Sequence, residues 1–236
     1  MAQRHKAIKA SLSTGTSAEW NDDHISDFTD EINFEYSPLN QIVSAIWDTA
    51  QTAGGSAPVV AFTDHHVSVY FTTGATTDQT SSMRLMLNGS AGNITYIDDA
   101  PMLTFALWLD AYHTVGNVAE FGLITSATAL FTANQNGAYF RINDDKIYSV
   151  TGNGAAETAT DITPLTGIPE YGNYKIELGA ANCKFYIDDM ETPVRTETAT
   201  LPTGDMTIKF SIRSKNNVDS LMYLDGVALI RNRYKG

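Results

Sequence analysis

From Pro58 onward, apolar residues recur at every second position in short runs. Val67, Val69 and Phe71 alternate with Ser68 and Tyr70. Met83, Leu85 and Leu87 alternate with Arg84 and Met86, and Phe105, Leu107 and Leu109 with Ala106, Trp108 and Asp110. The rhythm returns at Phe140 and Ile142, at Tyr174, Ile176 and Leu178, at Phe185 and Ile187, and at Ile208, Phe210 and Ile212. Period two puts one set of side chains on a core and the other toward water, so each run predicts a strand. Asn88–Gly89, Asn136–Gly137, Asn153–Gly154, Gly172–Asn173 and Thr203–Gly204 separate the runs with residues that tolerate tight turns. No long helix-period stretch follows residue 58, which argues against a parallel sheet with crossover helices. Many antiparallel strands in one chain must hide their apolar faces against each other. The expected fold is therefore all-β, a two-sheet antiparallel β-sandwich of jelly-roll type. No fixed-period repeat points to a propeller or solenoid.

The beginning of the chain reads differently. Ser37 and Pro38 resemble a helix cap followed by proline at the first helical position, and Leu39, Ile42, Val43, Ile46 and Trp47 follow a helical stripe. The competing reading makes Ile42–Trp47 the first strand. Residues 1–36 carry two charged clusters, Arg4–Lys6 and Asp22–His24, and only Ile25, Phe28 and Ile32 at helical spacing. That is too little apolar surface for a core. The division expected is a partly helical N-terminal arm, 1–36, that orders against something else, and a jelly-roll domain, 37–236.

Composition narrows the partners. The 236 residues include 15 Lys+Arg and 27 Asp+Glu, a net charge of −12. Such a chain is poorly suited to nucleic acid, whose binding needs clustered cations, or to an anionic membrane surface. No run approaches the ~20 apolar residues of a membrane span, so no membrane insertion is expected. Met1–Lys6 is basic, but no apolar segment of a secretory signal follows, which leads to the expectation of synthesis in a cytoplasm. The lone cysteine, Cys183, has no disulfide partner and reads as a half-buried, inert thiol.

Two resemblances follow from particular residues. Tyr174–Leu178, Lys184–Asp189, Leu201–Gly204, Ile208–Ile212 and Leu221–Leu229 resemble the closing strands of concanavalin A-like (laminin G-like) jelly rolls, which show Y-x-I, F-Y-I-D-G, L-P and L-x-x-D-x-V signatures. Phe121–Leu123 and Ala138–Ile142 fit the middle of that pattern, and the likeness covers roughly residues 45–236. It implies the fold; lectins, glycosidases, lyases and structural domains share it. Gly15–Thr16, Glu19–Asn21 and Asp23–His24 resemble a G-T-x-x-x-E-W-N-x-D-H segment near the start of tailed-phage tail-fibre and other virion-associated proteins. This second likeness implies a virion protein whose arm attaches the jelly roll to a particle through Trp20, Asn21, Asp23, His24, Ile25 and Phe28.

Candidate chemistry is sparse. The laminarinase-type members of the fold carry their carboxylates on one strand as E-x-D-x-x-E, and that spacing is absent. Asp110 and Glu120 could face one another from neighbouring strands. Asp64–His66 has ligand-type residues, but adjacent strand positions point to opposite faces, so no metal site is assigned. No cofactor is implied; Asp98–Asp99, Asn143–Asp145 and Asp188–Asp189 are oxygen clusters of the kind Ca2+ takes, without EF-hand spacing. If Phe105, Leu107 and Leu109 face the core, Trp108, Asp110 and Tyr112 share the opposite face, and Tyr139, Arg141 and Asn143 form a similar row. Aromatic rings beside hydrogen-bonding groups suit a sugar, which makes these six the candidate glycan site.

The leading expectation is a non-enzymatic virion structural protein, a capsid decoration or a tail or fibre component. Its arm would bind other virion proteins, it would form a homo-oligomer, most simply a trimer, and it would contact host-surface glycans. The alternatives are a carbohydrate-binding lectin-like domain acting through Trp108, Tyr112 and Arg141, and a polysaccharide-degrading glycosidase or lyase using Asp110 and Glu120.

Overall fold

The computed structural model describes residues 31–36, 47–51, 56, 59–62, 67–74, 76–85, 95, 97–110, 117–125, 131–215, 217 and 219–232. These form two antiparallel sheets. One holds eight strands: β1 (Glu31–Tyr36), β3 (Val59–Phe62), β4 (Val67–Thr72), β6 (Met102–Asp110), β11 (Tyr171–Leu178), β12 (Cys183–Ile187), β13 (Arg195–Glu197) and β15 (Leu221–Asn232). The other holds seven: β2 (Trp47–Gln51), β5 (Thr80–Leu85), β7 (Asn117–Ile124), β8 (Gly137–Asn143), β9 (Lys146–Gly152), β10 (Glu157–Asp161) and β14 (Thr207–Ser214). A single 3-10 turn, Ile97–Asp99, is the only helical element among the described residues. The expected two-sheet sandwich is the observed one.

The spatial orders are β13-β12-β11-β6-β15-β4-β3 and β10-β9-β8-β7-β14-β5-β2. At 12 residues, β15 is long enough to serve three neighbours. It pairs with β6 along most of its length, while its first part pairs with β4 and its last part with β1. The register slips between Leu224 and Gly226, a β-bulge at Asp225. Glu31–Tyr36, expected in the arm, is a strand of this sheet paired with the end of β15. Residues 1–30, with Trp20, Asn21, Asp23, His24, Ile25 and Phe28, lie outside the described residues. So does most of the helical stripe from Leu39, whose last member, Trp47, opens β2.

The core is where the alternation placed it. Phe105 of β6 stacks on Tyr174 of β11, with ring centres 5.5 Å apart. It meets Phe121 of β7 at 5.6 Å, Phe140 of β8 at 6.2 Å and Phe210 of β14 at 5.4 Å, all edge to face. One ring thus contacts strands of both sheets, and each such pair adds about 0.5–1.5 kcal/mol beyond area burial. Cys183 is fully buried rather than half-buried, and burial pushes its thiol well above the ordinary range. At one edge the sheets are joined by polar groups. Glu197 of β13 accepts from Ser149 of β9 at 3.3 Å and Thr160 of β10 at 2.6 Å, with Arg195 beside it at 2.9 Å.

Candidate functional site

Since Ala119, Phe121 and Leu123 enter the core from β7, the alternate positions, Val118, Glu120, Gly122 and Ile124, lie on the outer face of the seven-stranded sheet. On β8 the same parity turns Phe140 and Ile142 inward and Tyr139, Arg141 and Asn143 outward. Glu120 and Arg141 are direct cross-strand partners. Glu120 therefore stands near the middle of the sheet, in a row running Ser82, Ser211, Glu120, Arg141, Tyr148 across five strands.

The Glu120 carboxylate is only 2% exposed. One oxygen accepts from Arg141 Nε at 2.8 Å and the other from Gln135 Nε2 at 2.8 Å. The rest of the Arg141 fork reaches a second acid: Nη1 donates to Glu157 Oε1 at 2.7 Å, and Nη2 to Glu157 Oε2 at 3.3 Å and Tyr139 Oη at 2.9 Å. One guanidinium thus ties together two carboxylates, from β7 and β10. Burial opposes the charge on Glu157, but the hydrogen bonds and charge of Arg141, with the Asn134 N–H, outweigh it and hold the carboxyl below its ordinary range. Burial, followed by the negative charge of Glu120, drives the Tyr139 phenol far above its ordinary value. The carbonyl Oε1 of Gln135 is buried beside Glu120 without a hydrogen-bond partner.

The adjacent row holds Asp48, Arg84, Lys209, Gly122 and Tyr139 at paired positions. Burial brings the Lys209 ammonium down to about 8; Glu120 offsets this and Arg84 adds to it. Gly122, at φ +149°, sits where β7 and β8 close up: a Cβ there would come within 2.8 Å of the Ala138 carbonyl oxygen and the Tyr139 Cα. The strand beside the carboxylate needs glycine at that point.

The sequence-derived site residues do not converge. Trp108 is on the outer face of the eight-stranded sheet and Tyr139 and Arg141 on the outer face of the other, so the sandwich separates the two rows. Tyr139 is fully buried, and Arg141 is held by its two carboxylates. Asn143 accepts from Lys215 Nζ at 2.6 Å. Tyr112 and Asp64–His66 lie outside the described residues. Asp110 and Glu120 are not on neighbouring strands: β6 and β7 belong to different sheets, so that pair does not form. At the Asp188–Asp189 turn, Asp189 spends an oxygen on the chain's own backbone, accepting from the N–H groups of Glu191 at 2.8 Å and Thr192 at 3.2 Å. Among the described residues, no group of three or more His, Cys, Asp or Glu side chains is placed to hold a metal ion. Glu157 and Gln135 went unnoticed in the sequence, because only tertiary contact gives them meaning.

No family model matches the chain, and no curated protein does. Solved structures do match. A β-glucanase from Bacillus licheniformis superposes with a TM-score of 0.58 at 13% identity, covering 86% of this chain and 98% of its own. A β-1,3-1,4-glucanase (lichenase) derived from a mouse hindgut metagenome gives 0.60 at 11%, covering 86% and 99%. A protein of unknown function from Shewanella oneidensis gives 0.61 at 13%, covering 94% and 100%. At these identities the likeness establishes the concanavalin A-like jelly-roll fold. It also corrects the leading expectation. Glucan hydrolases occupy the place where a non-enzymatic virion part was expected, and nothing among these structures supports the tail-fibre resemblance.

Proposed function

We propose that this protein hydrolyses a β-linked polysaccharide on the outer face of its seven-stranded sheet, with Glu120 and Glu157 as the working carboxylates. The observation that carries the reading is the pair of acids from β7 and β10 gripped by the single Arg141 fork. Glycoside hydrolysis needs two carboxyl groups in different states, one giving a proton to the leaving oxygen and one acting on the opposite side of the sugar. Glu157, kept ionised by Arg141, is the base or nucleophile, and Glu120, bound to the same guanidinium, is the second carboxyl group of the pair. Arg141 orients both, and the unpaired Gln135 oxygen offers an acceptor to a sugar hydroxyl. The β-glucan substrates of the structural neighbours supply the substrate class.

The test is reducing-end release from mixed-linkage β-1,3-1,4-glucan and from β-1,3-glucan. The wild-type chain should release ends from at least one of them. Glu120→Gln and Glu157→Gln should each slow release by about a hundredfold or more, the ordinary weight of a proton-transfer group. A wild-type chain inert on both polymers, or a Glu120→Gln variant of unchanged rate, would overturn the reading.

A further inference from the structure

The opposite face of the sandwich carries an arrangement the catalytic reading does not use. Tyr171 of β11 is paired with Trp108 of β6, Trp108 with Tyr223 of β15, and Tyr223 with Tyr70 of β4. Four consecutive strands thus place an aromatic residue at the same level. With neighbouring strands ~4.8 Å apart, the row extends for about 14 Å across the sheet. Trp108, Tyr223 and Tyr70 point outward, because Leu107 and Leu109, Met222 and Leu224, and Val69 and Phe71 on either side of them enter the core, and Tyr171 does so by alternation with the inward Tyr174 and Ile176.

The rings support one another. Trp108 and Tyr223 lie 5.3 Å apart at 31°, and Tyr70 and Tyr223 lie 4.8 Å apart at 33°. Tyr171 is 49% exposed, one of the few large hydrophobic side chains so open among the described residues, and the other three are partly exposed. Carboxylates edge the row: Trp108 Nε1 donates to Glu170 at 3.2 Å, and Tyr171 Oη to Asp225 at 3.4 Å. The bulge at Leu224–Gly226 sets Asp225 beside the rings.

We infer that this aromatic row is a second carbohydrate site, a surface that holds a neutral β-linked glucan chain away from Glu120. Sugar rings present C–H faces to aromatic rings and hydroxyl donors to carboxylates, and the row offers both acceptors and rings. The acidic rim and the chain's net charge of −12 disfavour an anionic polymer and leave a neutral, hydroxyl-rich one as the fitting occupant. The choice of glucan rests on the proposed hydrolysis; the site itself does not.

The experiment is retardation of the full chain in native gels containing mixed-linkage β-glucan, run in the Glu120→Gln background so that the polymer stays intact. Tyr171→Ala and Trp108→Ala should each weaken the apparent affinity by about tenfold. Trp108→Phe should restore most of it, and the melting temperature of each variant reports whether the fold is kept. Tyr171→Ala removes an exposed ring and guards against mistaking unfolding for lost binding. A chain that migrates unretarded, or one retarded equally with and without Tyr171 and Trp108, overturns the inference. Hydrolysis is read separately from reducing ends, so either proposal can fail without the other.

Discussion

The two outer faces of this sandwich use polar and aromatic groups in opposite ways. On the seven-stranded sheet, charged groups are buried: Glu120 and Lys209 are each 2% exposed, and Arg141 holds Glu120. On the eight-stranded sheet, the row from Tyr171 to Tyr70 stays partly open to water and carries its charges at the rim. Buried charge is costly and survives only where geometry satisfies it, so the first face is built around one fixed constellation. Exposed aromatic surface costs little to keep and suits a ligand that arrives and leaves. Chemistry is expected where the charge is held, and attachment where the rings are open.

This contrast can be broken at several points. The largest effect should come from Arg141→Met, which strands the Glu120 carboxylate in the interior. Urea denaturation is expected to show a loss of about 3–5 kcal/mol, against a much smaller loss for Glu120→Gln. Next comes Lys209. Its amine is at about 8 in the folded chain and at 10.5 as the ordinary value, so between these the unfolded chain binds the extra proton. Stability should therefore rise as pH goes from 8 to 10, and Lys209→Met should flatten that rise. The acid limb follows. Glu157 and Glu197 are held below their ordinary value of 4.5 in the folded chain, so the stability they add is present above that pH and lost as pH falls through their lowered values. Thermal melts of Glu157→Gln should show a shallower decline below pH 4.5 than wild type. The smallest change belongs to the other face: Tyr171→Ala should alter stability by no more than about 0.5 kcal/mol while altering glucan retention.

Much of the fold was legible because many inward positions are purely apolar. Phe105, Leu107 and Leu109, Tyr174, Ile176 and Leu178, and Ile208, Phe210 and Ile212 all enter the core as their alternation required. Strands whose alternation the sequence does not display break that rule for physical reasons. On β9 the inward Ser149 serves the Glu197 clasp, while the outward Tyr148 and Val150 are apolar. On β7, Val118 and Ile124 are buried on the outer face, so the period blurs. The site was harder to read, since register across strands is set by the whole topology. Nothing local to Asp110 and Glu120 says that the chain changes sheets between them. Nothing local to Trp108 says that Tyr171, Tyr223 and Tyr70 will stand level with it. The absent E-x-D-x-x-E spacing spoke against a hydrolase, because a second acid brought to Glu120 from β10 through Arg141, Glu157, leaves no such spacing in the sequence.

The division between the faces comes down to initial rates of reducing-end release by wild type, Glu120→Gln and Tyr171→Ala, each on a four-sugar β-glucan oligosaccharide and on the polymer. Glu120→Gln should be slower than wild type by about a hundredfold or more on both, while Tyr171→Ala should match wild type on the oligosaccharide and fall behind it on the polymer. A Glu120→Gln rate equal to wild type, or a Tyr171→Ala defect of equal size on both substrates, would contradict it.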